Sequence, residues 1–254
     1  MKIEALTISV GYADFLQETL PHNLHHFDRL LVVTSYEDKQ TQNICRRLSV
    51  ECHPTDVMYS HGDPFNKGRA IDFGLGFLTR NDWIVHLDAD IFLPPTTRRW
   101  IETAQPDPQC IYGIDRVNCV GYANWRRFID DPLQRHQHRQ HCIVTPPPFP
   151  MGGRISLANH AGFIPIGFFQ MWHGQHARRY PLAQGDAEHT DVLHALQWPT
   201  KNRRLLPEII AVHLESEPSK IGTNWRGRQS RPFAPFSRDP QGSASHHTGY
   251  GTNP

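Results

Sequence analysis

The sequence predicts an α/β fold built on a mainly parallel central sheet. Apolar runs suited to strands alternate with helix-like segments over residues 1–95, in the rhythm of right-handed βαβ units. The run at residues 30–35 is continuously apolar, which is typical of a strand covered on both faces. With 254 residues, 38% of them hydrophobic, the chain has enough material for one large domain or two small ones.

Each element has its own local signal. The predicted strands cover residues 3–10, 30–35, 50–53, 83–87, 110–115, 168–173 and 209–214, and the predicted helices cover residues 12–23, 38–48, 63–78 and 192–197. The helix at residues 63–78 is expected to begin at Asp63 and Pro64, because aspartate is a good N-cap and proline a good first helical residue.

Composition divides the chain into three parts. Residues 1–95 are predicted to form a nucleotide-binding half, and residues 96–234 a mixed half of the same domain that carries the second substrate. Residues 235–254 are rich in Ser, Gly, His, Asn and Pro, so we expect a disordered tail. In open α/β sheets, ligands bind at the carboxyl ends of strands, where we expect the site.

Several protein classes are excluded by composition. The chain has 26 Lys and Arg against 25 Asp and Glu, which excludes a histone-like or strongly acidic protein. No stretch approaches the ~20 apolar residues of a membrane span, and no internal repeat is found. The N-terminus lacks the apolar run of a signal peptide, so a cytoplasmic location is expected. Scattered cysteines without a CxxC pair predict reduced thiols, at Cys45, Cys52, Cys110, Cys119 and Cys142.

A candidate metal site follows the strand at residues 83–87. Asp88 and Asp90 are two carboxylates one residue apart, and together they can share one Mg²⁺ or Mn²⁺ ion. A solvated turn has the same pattern. His213, at the end of a late strand, would complete an Asp–Asp–His set that leaves positions open for a diphosphate. A lone histidine, however, is more often a packed residue than a ligand.

Two further groups of residues are candidates for substrate chemistry. Lys67 and Arg69 lie at the start of a predicted helix, where cations suit phosphate oxygens; exposed side chains on a capped helix are the alternative. Asp186, Glu188 and Asp191 precede a short helix. A carboxylate there could act as general base toward an acceptor hydroxyl, and helix capping explains the same residues.

In this order, the motifs resemble those of the GT-A glycosyltransferases, in particular relatives of glycosyltransferase family 2. Residues 65–95 carry most of the resemblance, with a glycine-containing helix before a strand that ends in DxD. Weaker support comes from residues 167–170, 212–214 and 224–228. The resemblance implies a metal-dependent transfer of sugar from a nucleoside-diphosphate sugar, with Mn²⁺ or Mg²⁺ as cofactor, to an acceptor hydroxyl.

The resemblance also implies roles for individual residues. Asp88 would lie near the ribose and the metal, and Asp90 and His213 would bind the metal. The nucleoside diphosphate would be bound by Val10, Gly11, Tyr12, Thr34, Asp38, Lys67 and Arg69. Asp191 matches the base of inverting members, but the family's usual acidic pair is replaced by Glu188-His189-Thr190-Asp191. Asp186 and Glu188 therefore compete with Asp191, and inverting and retaining chemistry both stay open.

The nature of the acceptor is suggested only by charge. Residues 199–238 hold eight Lys or Arg against three acidic residues, and residues 124–141 place four Arg beside Trp125 and Phe128. Basic residues among aromatic ones suit a polyanion. Some phage-encoded glycosyltransferases of this type decorate hydroxymethylated DNA bases, so such a base is one possible acceptor. Alternatively, these cations bind the diphosphate or simply solvate loops. No oligomeric state follows from the sequence.

Two other classes of function compete with this interpretation. A nucleotidyltransferase on a similar fold would need a glycine-rich basic loop after the first strand, but residues 10–14 hold one glycine and no Lys or Arg. A non-enzymatic nucleotide- or metal-binding protein could use the 17 histidines. Of these, only His136, His138 and His141 are suitably clustered, and they lie in a segment whose four arginines would repel a cation.

Overall fold

A computed structural model describes residues 1–131, 158–159, 162–182, 185–217 and 224–235, and its centre is an eight-stranded mixed sheet flanked by helices. The strands are β1 (Ile3–Ile8), β2 (Arg29–Thr34), β3 (Glu51–Pro54), β4 (Trp83–Leu87), β5 (Ile91–Phe92), β6 (Ile111–Val120), β7 (Ala158–Asn159), β8 (Gly162–Phe163), β9 (Phe169–His173) and β10 (Arg203–Glu215). The helices are α1 (Ala13–Asn23), α2 (Lys39–Arg47), α3 (Lys67–Leu75), α4 (Thr97–Ala104), α5 (Tyr122–Asp130) and α6 (Thr190–Ala195).

The order of strands in the sheet is β3-β2-β1-β4-β9-β6-β10-β5. The first four strands in this order are parallel to one another, as is β6 with β10. Strand β9 is antiparallel to both β4 and β6, and β5 is antiparallel to β10. The α/β class is therefore confirmed. Its parallel character is strongest in the N-terminal half, where βαβ connections were predicted.

Two strands are longer than the sequence suggested. Strands β6 and β10 pair along most of their length, with a register shift between Leu206 and Ile210. The polar residues at Asp115, Arg116 and Asn118 hid the full extent of β6, because they interrupt its apolar pattern. Pairing between two whole strands compensates for such interruptions, so the ladder continues through them.

The predicted start of the helix at residues 63–78 was wrong. Helix α3 begins at Lys67, and residues 57–62 form 3₁₀ structure that is kinked at Ser60 and His61. The N-cap is Asn66, whose Oδ1 accepts a hydrogen bond of 3.0 Å from the backbone N of Arg69. The Asp63 carboxylate is engaged elsewhere, since its Oδ2 lies 3.0 Å from Asn66 Nδ2 and 2.8 Å from Arg69 Nη1.

Apolar clusters cover both faces of the sheet. One contains Val32, Val85 and Met171, and the other contains Leu6 and Trp172. Neighbouring residues of one strand fall in different clusters because side chains alternate between faces. A third cluster packs α5 against β6 and β10.

The third cluster overturns part of the polyanion interpretation. Trp125 and Phe128 are buried in it, with exposed fractions of 0% and 1%, and Trp125 Nε1 donates to Glu18 Oε2 at 2.8 Å. These rings therefore cannot stack on a bound nucleic acid. The rest of that basic segment, residues 132–141, lies outside the described residues.

Three other expectations concern the whole chain. Cys45, Cys52, Cys110 and Cys119 are free thiols, as predicted, while Cys142 lies outside the described residues. Residues 236–254 of the expected tail lie outside them as well. Within the described ranges, no helix has the length and apolar character required to cross a membrane.

Candidate active site

A cavity of about 460 Å³ opens at the carboxyl ends of β1 and β4 and extends beside β10. It receives side chains from the β1–α1 loop, the start of α3, the turn after β4, strands β6 and β10, and the segment around α6. This is the edge at which ligands bind in open α/β sheets.

Most of the predicted site residues meet in this cavity. Those that line it are Val10, Tyr12, Lys67, Asp88, Asp90, Glu188, Asp191 and His213. Residues separated by up to about 200 positions in the chain are thus brought together by the sheet. The predicted residues outside the lining are Gly11, Thr34, Asp38, Arg69 and Asp186.

Several of the outlying residues bind other parts of the protein. Asp38 caps α2, accepting from Thr41 N at 3.0 Å, and it also accepts from Gly11 N at 2.7 Å. Arg69 donates to the backbone oxygen of Ser60 at 2.5 Å and pairs with Asp63. These contacts use side-chain groups that had been assigned to the nucleotide, so the predicted nucleoside contacts of Asp38 and Arg69 have no support in this geometry.

The Asp186 carboxylate likewise has local partners. Its Oδ1 accepts from Glu188 N at 3.0 Å, and Oδ2 lies 3.5 Å from Arg226 Nε. Thr34 is fully buried at the end of β2. Neither side chain is therefore presented to the cavity.

Asp88 and Lys67, which both line the cavity, form an ion pair. Lys67 Nζ lies 2.5 Å from Asp88 Oδ1, and the backbone N of Asp88 donates to Phe168 O at 3.1 Å. Burial raises the pKa of Asp88, against the opposing charge of Lys67. Burial alone would lower the pKa of Lys67, but the surrounding carboxylates, Asp88 first, raise it. Lys67 therefore stays charged at neutral pH.

Asp90 and His213 form a second contact. Asp90 Oδ2 lies 3.3 Å from His213 Nε2, while Asp90 Oδ1 is buried without a hydrogen-bond partner in the part of the chain that the structure describes. Burial alone would raise the pKa of Asp90, but His213 and Arg116 outweigh it and hold the pKa below its ordinary value. Asp90 is therefore a cavity-lining carboxylate with one buried oxygen that no described residue contacts.

The other side of the His213 ring is fixed by acceptors. His213 Nδ1 lies 3.1 Å from Glu215 Oε1 and 3.2 Å from Asn118 Oδ1, so these partners assign the ring proton to Nδ1. Nε2 lies 3.3 Å from Asp90 Oδ2, and a metal ion held by both residues would take the Nε2 lone pair. A histidine whose second nitrogen donates to a carboxylate is the usual arrangement of a metal ligand.

The donor set fits a hard divalent cation only in part. Carboxylate oxygen and imidazole nitrogen are both ligands of Mn²⁺ and Mg²⁺, and Mg²⁺ is often held by one or two protein groups plus substrate phosphates. Asp90 and His213 meet that description. The full predicted set does not form, because Asp88 faces Lys67, and no three His, Cys, Asp or Glu side chains of the described residues are arranged around one point.

Asp191 is held at the wall of the same cavity. Its Oδ2 accepts a short hydrogen bond from the backbone N of Gly167, and its backbone oxygen accepts from Gln170 Nε2 at 2.8 Å. A Cβ at position 167 would lie 2.6 Å from Asp191 Cβ, so only glycine permits this approach. Asp191 Oδ1 accepts no hydrogen bond from any described residue, and the side chain lines the cavity.

Helix α3 is packed tightly against the start of α6, which brings Lys67 close to Asp191. A Cβ on Gly68 would lie 2.3 Å from Pro181 O and 3.1 Å from a methyl group of Thr190. The glycine next to Lys67 in the sequence motif therefore serves helix packing.

A saturated polar network supports Asp191 from behind. The buried Gln170 amide accepts from Tyr180 Oη at 2.5 Å and contacts His194 Nδ1 at 3.1 Å. Its Nε2 donates to Pro165 O and Asp191 O, each at 2.8 Å. Burial lowers the pKa of His194 to about 3, so its ring is neutral. Gln170 thus joins Tyr180, His194 and Pro165 to the backbone of Asp191 and fixes this wall.

Three of the cavity residues that were not predicted as site residues are Arg116, Glu215 and Trp225, although Trp225 lies in the stretch 224–228 that supported the resemblance. For Arg116 a signal was present, because it is a charged residue within the buried strand β6. Buried charges need a partner or a ligand, so their position in a strand is itself a pointer to a site. Glu215 lies two residues after His213, on the same face of β10, which strand alternation would have revealed.

No protein-family model matches the sequence, and comparison with curated proteins also finds no match. Glucosyl-3-phosphoglycerate synthase from Mycobacterium tuberculosis, solved with phosphoglyceric acid, matches 87% of this chain and 75% of its own, at 12% identity and a TM-score of 0.49. The inositol-1-phosphate CTP transferase from T. maritima matches 88% of this chain and 93% of its own, at 11% identity and a TM-score of 0.46.

Mannosyl-3-phosphoglycerate synthase from Rubrobacter xylanophilus is 22% identical over 46% of this chain, with a TM-score of 0.36. The chain spans 41% of that synthase. The similar structures thus include both sugar transferases and nucleotidyltransferases. Since all these TM-scores lie below 0.5, the reaction of this chain has to be argued from the residues of its own cavity.

Proposed function

We propose that this chain is a metal-dependent glycosyltransferase that moves a sugar from a nucleoside-diphosphate sugar to an acceptor hydroxyl, with inversion at the anomeric carbon. The observation that carries the proposal is the meeting of three groups in one cavity. These are the Asp90–His213 pair, the Lys67 ammonium and the fixed carboxylate of Asp191.

The donor would bind beside α3. The N-terminus of a helix presents free backbone N–H groups and a positive dipole end, both of which suit a diphosphate. Lys67 stands in the first turn of α3 and keeps its charge. It would stabilise the negative charge that grows on the diphosphate as the bond to the sugar breaks.

Asp90 and His213 would hold the metal ion, with the diphosphate providing further oxygen ligands. A divalent cation bound there supplies positive charge to the leaving nucleoside diphosphate. Glu215 and Asn118 fix the His213 ring so that Nε2 faces the metal position.

Asp191 would act as the general base. Gly167 holds one carboxylate oxygen, and the other is free to take the proton of an acceptor hydroxyl. The hydroxyl oxygen forms a bond to the anomeric carbon while the bond from that carbon to the diphosphate oxygen breaks. Glu188 also lines the cavity, but its side chain is 40% exposed and faces His189 at 3.4 Å, so Asp191 is the better base.

A nucleotidyltransferase is less well supported by the same geometry. Such an enzyme needs a cation on the loop after β1. Arg228 Nη1 does reach Gly11 O at 2.7 Å, but this guanidinium is paired with Asp14. The loop therefore has no cation available for a triphosphate among the described residues.

A thermal-shift panel tests the proposal. UDP-, GDP-, dTDP- and ADP-sugars and CTP are each tested with Mn²⁺, with Mg²⁺ and with EDTA. A ligand at 100 times its Kd adds about 2.7 kcal/mol to the stability of the folded state. We expect one nucleotide-sugar to raise Tm in the presence of metal only, and its hydrolysis or transfer to release the nucleoside diphosphate.

Two variants make the panel specific. Asp90→Asn should lose the metal-dependent shift, whereas Asp72→Asn, on the outer side of α3, should keep it. A shift with CTP and pyrophosphate release from CTP plus a sugar phosphate would instead establish a nucleotidyltransferase. Absence of any metal-dependent shift would contradict the proposal.

A further inference from the structure

Arg116 is a second cation in the cavity, and none of the described residues is an anionic partner for it. Its Nε is buried without a hydrogen-bond acceptor, and no described residue forms an ion pair with its guanidinium. The guanidinium carbon lies 4.6 Å from the centroid of the Phe168 ring, so one face of the group rests on an aromatic side chain.

Two other arginines of this chain show how a guanidinium is paired with a carboxylate. Arg228 contacts both oxygens of Asp14, and Arg29 contacts both oxygens of Glu51 at 2.8 and 2.9 Å. Four carboxylates near Arg116 act to raise its pKa, yet burial outweighs them and lowers it. An arginine placed only to neutralise those carboxylates would contact one of them, since an unpaired charge is costly to bury.

Arg116 lies on the side of the cavity away from the β1–α1 loop, where the nucleoside is predicted to bind, and next to β10, the strand that carries His213. It is on β6, which β9 and β4 separate from β1. Phe168, which stacks on it, follows Gly167, whose backbone holds the Asp191 carboxylate. Arg116 also shares a strand face with Asn118, the partner of His213. An anion bound by Arg116 would therefore be near both the base and the metal position.

We propose that Arg116 binds a carboxylate or phosphate group of the acceptor, so that the acceptor is a small anionic hydroxy compound. That the bound anion belongs to an acceptor rests on the proposed function, whereas the anion site itself does not. The planar guanidinium fork matches the two oxygens of a carboxylate or a phosphate. A cavity of about 460 Å³ has the size of a small-molecule site. Anchoring the anion would turn the acceptor's hydroxyl toward Asp191 Oδ1.

The test begins with inorganic phosphate, without metal or nucleotide, titrated calorimetrically into wild type, Arg116→Gln, Arg116→Lys and Arg204→Gln. Arg204 is an exposed arginine on β10 and serves as the matched control. We expect wild type and Arg204→Gln to bind phosphate equally, and Arg116→Gln to bind about tenfold more weakly or worse. The phosphate affinity of Arg116→Lys should lie between those of wild type and Arg116→Gln, because lysine keeps the charge but lacks the planar pair of donors. If Arg116→Gln does not fold, the comparison of Arg116→Lys with wild type provides the test.

A second titration separates the acceptor from the donor. The nucleoside diphosphate identified by the thermal-shift panel is added at saturation with Mg²⁺, and phosphate is titrated again. We expect phosphate to bind without displacing the nucleotide, and Arg116→Gln to keep its nucleotide affinity. Competition between the two, or loss of nucleotide affinity in Arg116→Gln, would place Arg116 on the donor and overturn the inference.

Two further outcomes are decisive. Equal phosphate binding by wild type and Arg116→Gln, or no binding by wild type, would also overturn the inference. If no nucleotide binds but phosphate binding still depends on Arg116, the glycosyltransferase proposal fails while the anion site stands.

Discussion

Two neighbouring regions of this molecule combine arginine and carboxylates in opposite ways. In the first, which we call the clamp, Arg228 contacts both oxygens of Asp14, and Asp14 also accepts from the backbone N of Phe233. Arg228 further donates to Gly11 O and Arg231 O. In the second, the cavity, Asp90 Oδ1 and Arg116 Nε are buried without partners among the described residues. Tyr12 stands between the regions, since it lines the cavity and lies beneath Arg228.

The difference separates a stabilising cluster from a binding site. Removing one member of a buried, fully hydrogen-bonded pair leaves the other charge buried without a partner, which is costly. The clamp therefore stabilises the fold. It ties residues 224–235 to the start of α1 and so closes one side of the cavity. The cavity keeps unsatisfied groups at a cost in stability, which is typical of sites that wait for a ligand.

Asp191→Asn should have the largest effect on activity. Loss of a general base reduces kcat by about 10²–10⁴-fold. The amide can keep the approach to Gly167 but cannot take a proton, so nucleotide affinity and stability should change little. Single-turnover transfer or hydrolysis of the donor measures this, with Glu188→Gln as the control. Comparable losses in both variants would place the base elsewhere.

Asp14→Ala should have the largest effect on stability. It strands the Arg228 guanidinium, whose side chain is 12% exposed, and frees the backbone N of Phe233. Breaking a buried pair by removing one partner costs about 3–5 kcal/mol in the free energy of unfolding. Urea denaturation measures it against Glu37→Ala, at an exposed position. A loss below about 1 kcal/mol, the value of a surface pair, would show that the clamp is not a structural device.

Much of the fold was predictable because strands β1, β2 and β4 are short apolar runs with turn residues after them. Local patterns fail where pairing overrides them. Nothing around Asp115 and Arg116 marks a continuous strand, and only the partner strand β10 sustains it. The start of α3 was missed for a similar reason, since Asp63 and Asn66 are both good caps and the choice depends on the ion pair of Asp63 with Arg69.

The candidate site was predictable in its residue types but not in its pairings. Asp90, His213, Lys67 and Asp191 lie in the expected cavity. That Asp88 faces Lys67 rather than Asp90 and His213 depends on side-chain geometry that no spacing contains. The roles of Gly68 and Gly167 are packing contacts between distant segments, which also leave no trace in a single sequence.

One part of the pH dependence of stability should arise outside both regions, at the buried His26. Burial, assisted by the neighbouring His25, lowers the pKa of His26 to about 3. The unfolded chain takes up that proton near pH 6.5, so stability falls as the pH drops from about 6.5 toward about 3. At pH 5 the loss from this one histidine is about 2 kcal/mol.

His26→Phe should remove that part of the loss, as measured by urea denaturation at pH 7 and pH 5, while the exposed His176→Phe should not. His194→Phe should also reduce the loss of stability between pH 7 and pH 5, because burial lowers the pKa of His194 to about 3 as well. Of the three variants only His194→Phe should reduce kcat as well, since His194 contacts the Gln170 amide that holds Asp191. If His26→Phe loses as much stability between pH 7 and pH 5 as wild type, the assignment of this loss to His26 is wrong.

Trp225→Ala should have the smallest effect on stability. It tests whether the Trp225 side chain belongs to the clamp or to the cavity. The indole is 45% exposed at the cavity, while the backbone oxygen of Trp225 accepts from Ala187 N at 2.8 Å and survives the substitution. We expect the free energy of unfolding to change by less than about 0.5 kcal/mol. Affinity for the nucleotide-sugar found in the thermal-shift panel should fall by about two- to tenfold, as for one lost aromatic contact.

Leu196→Ala, equally exposed at the C-cap of α6 and not part of the cavity lining, is the matched control and should leave that affinity unchanged. A destabilisation of Trp225→Ala above about 1 kcal/mol with unchanged affinity would assign the indole to the clamp. Because the backbone of residues 224–235 is anchored in either case, the two measurements separate the side chain from the segment that carries it. If Trp225→Ala lowers affinity without destabilising the fold, the boundary between the clamp and the cavity lies between Trp225 and Arg228.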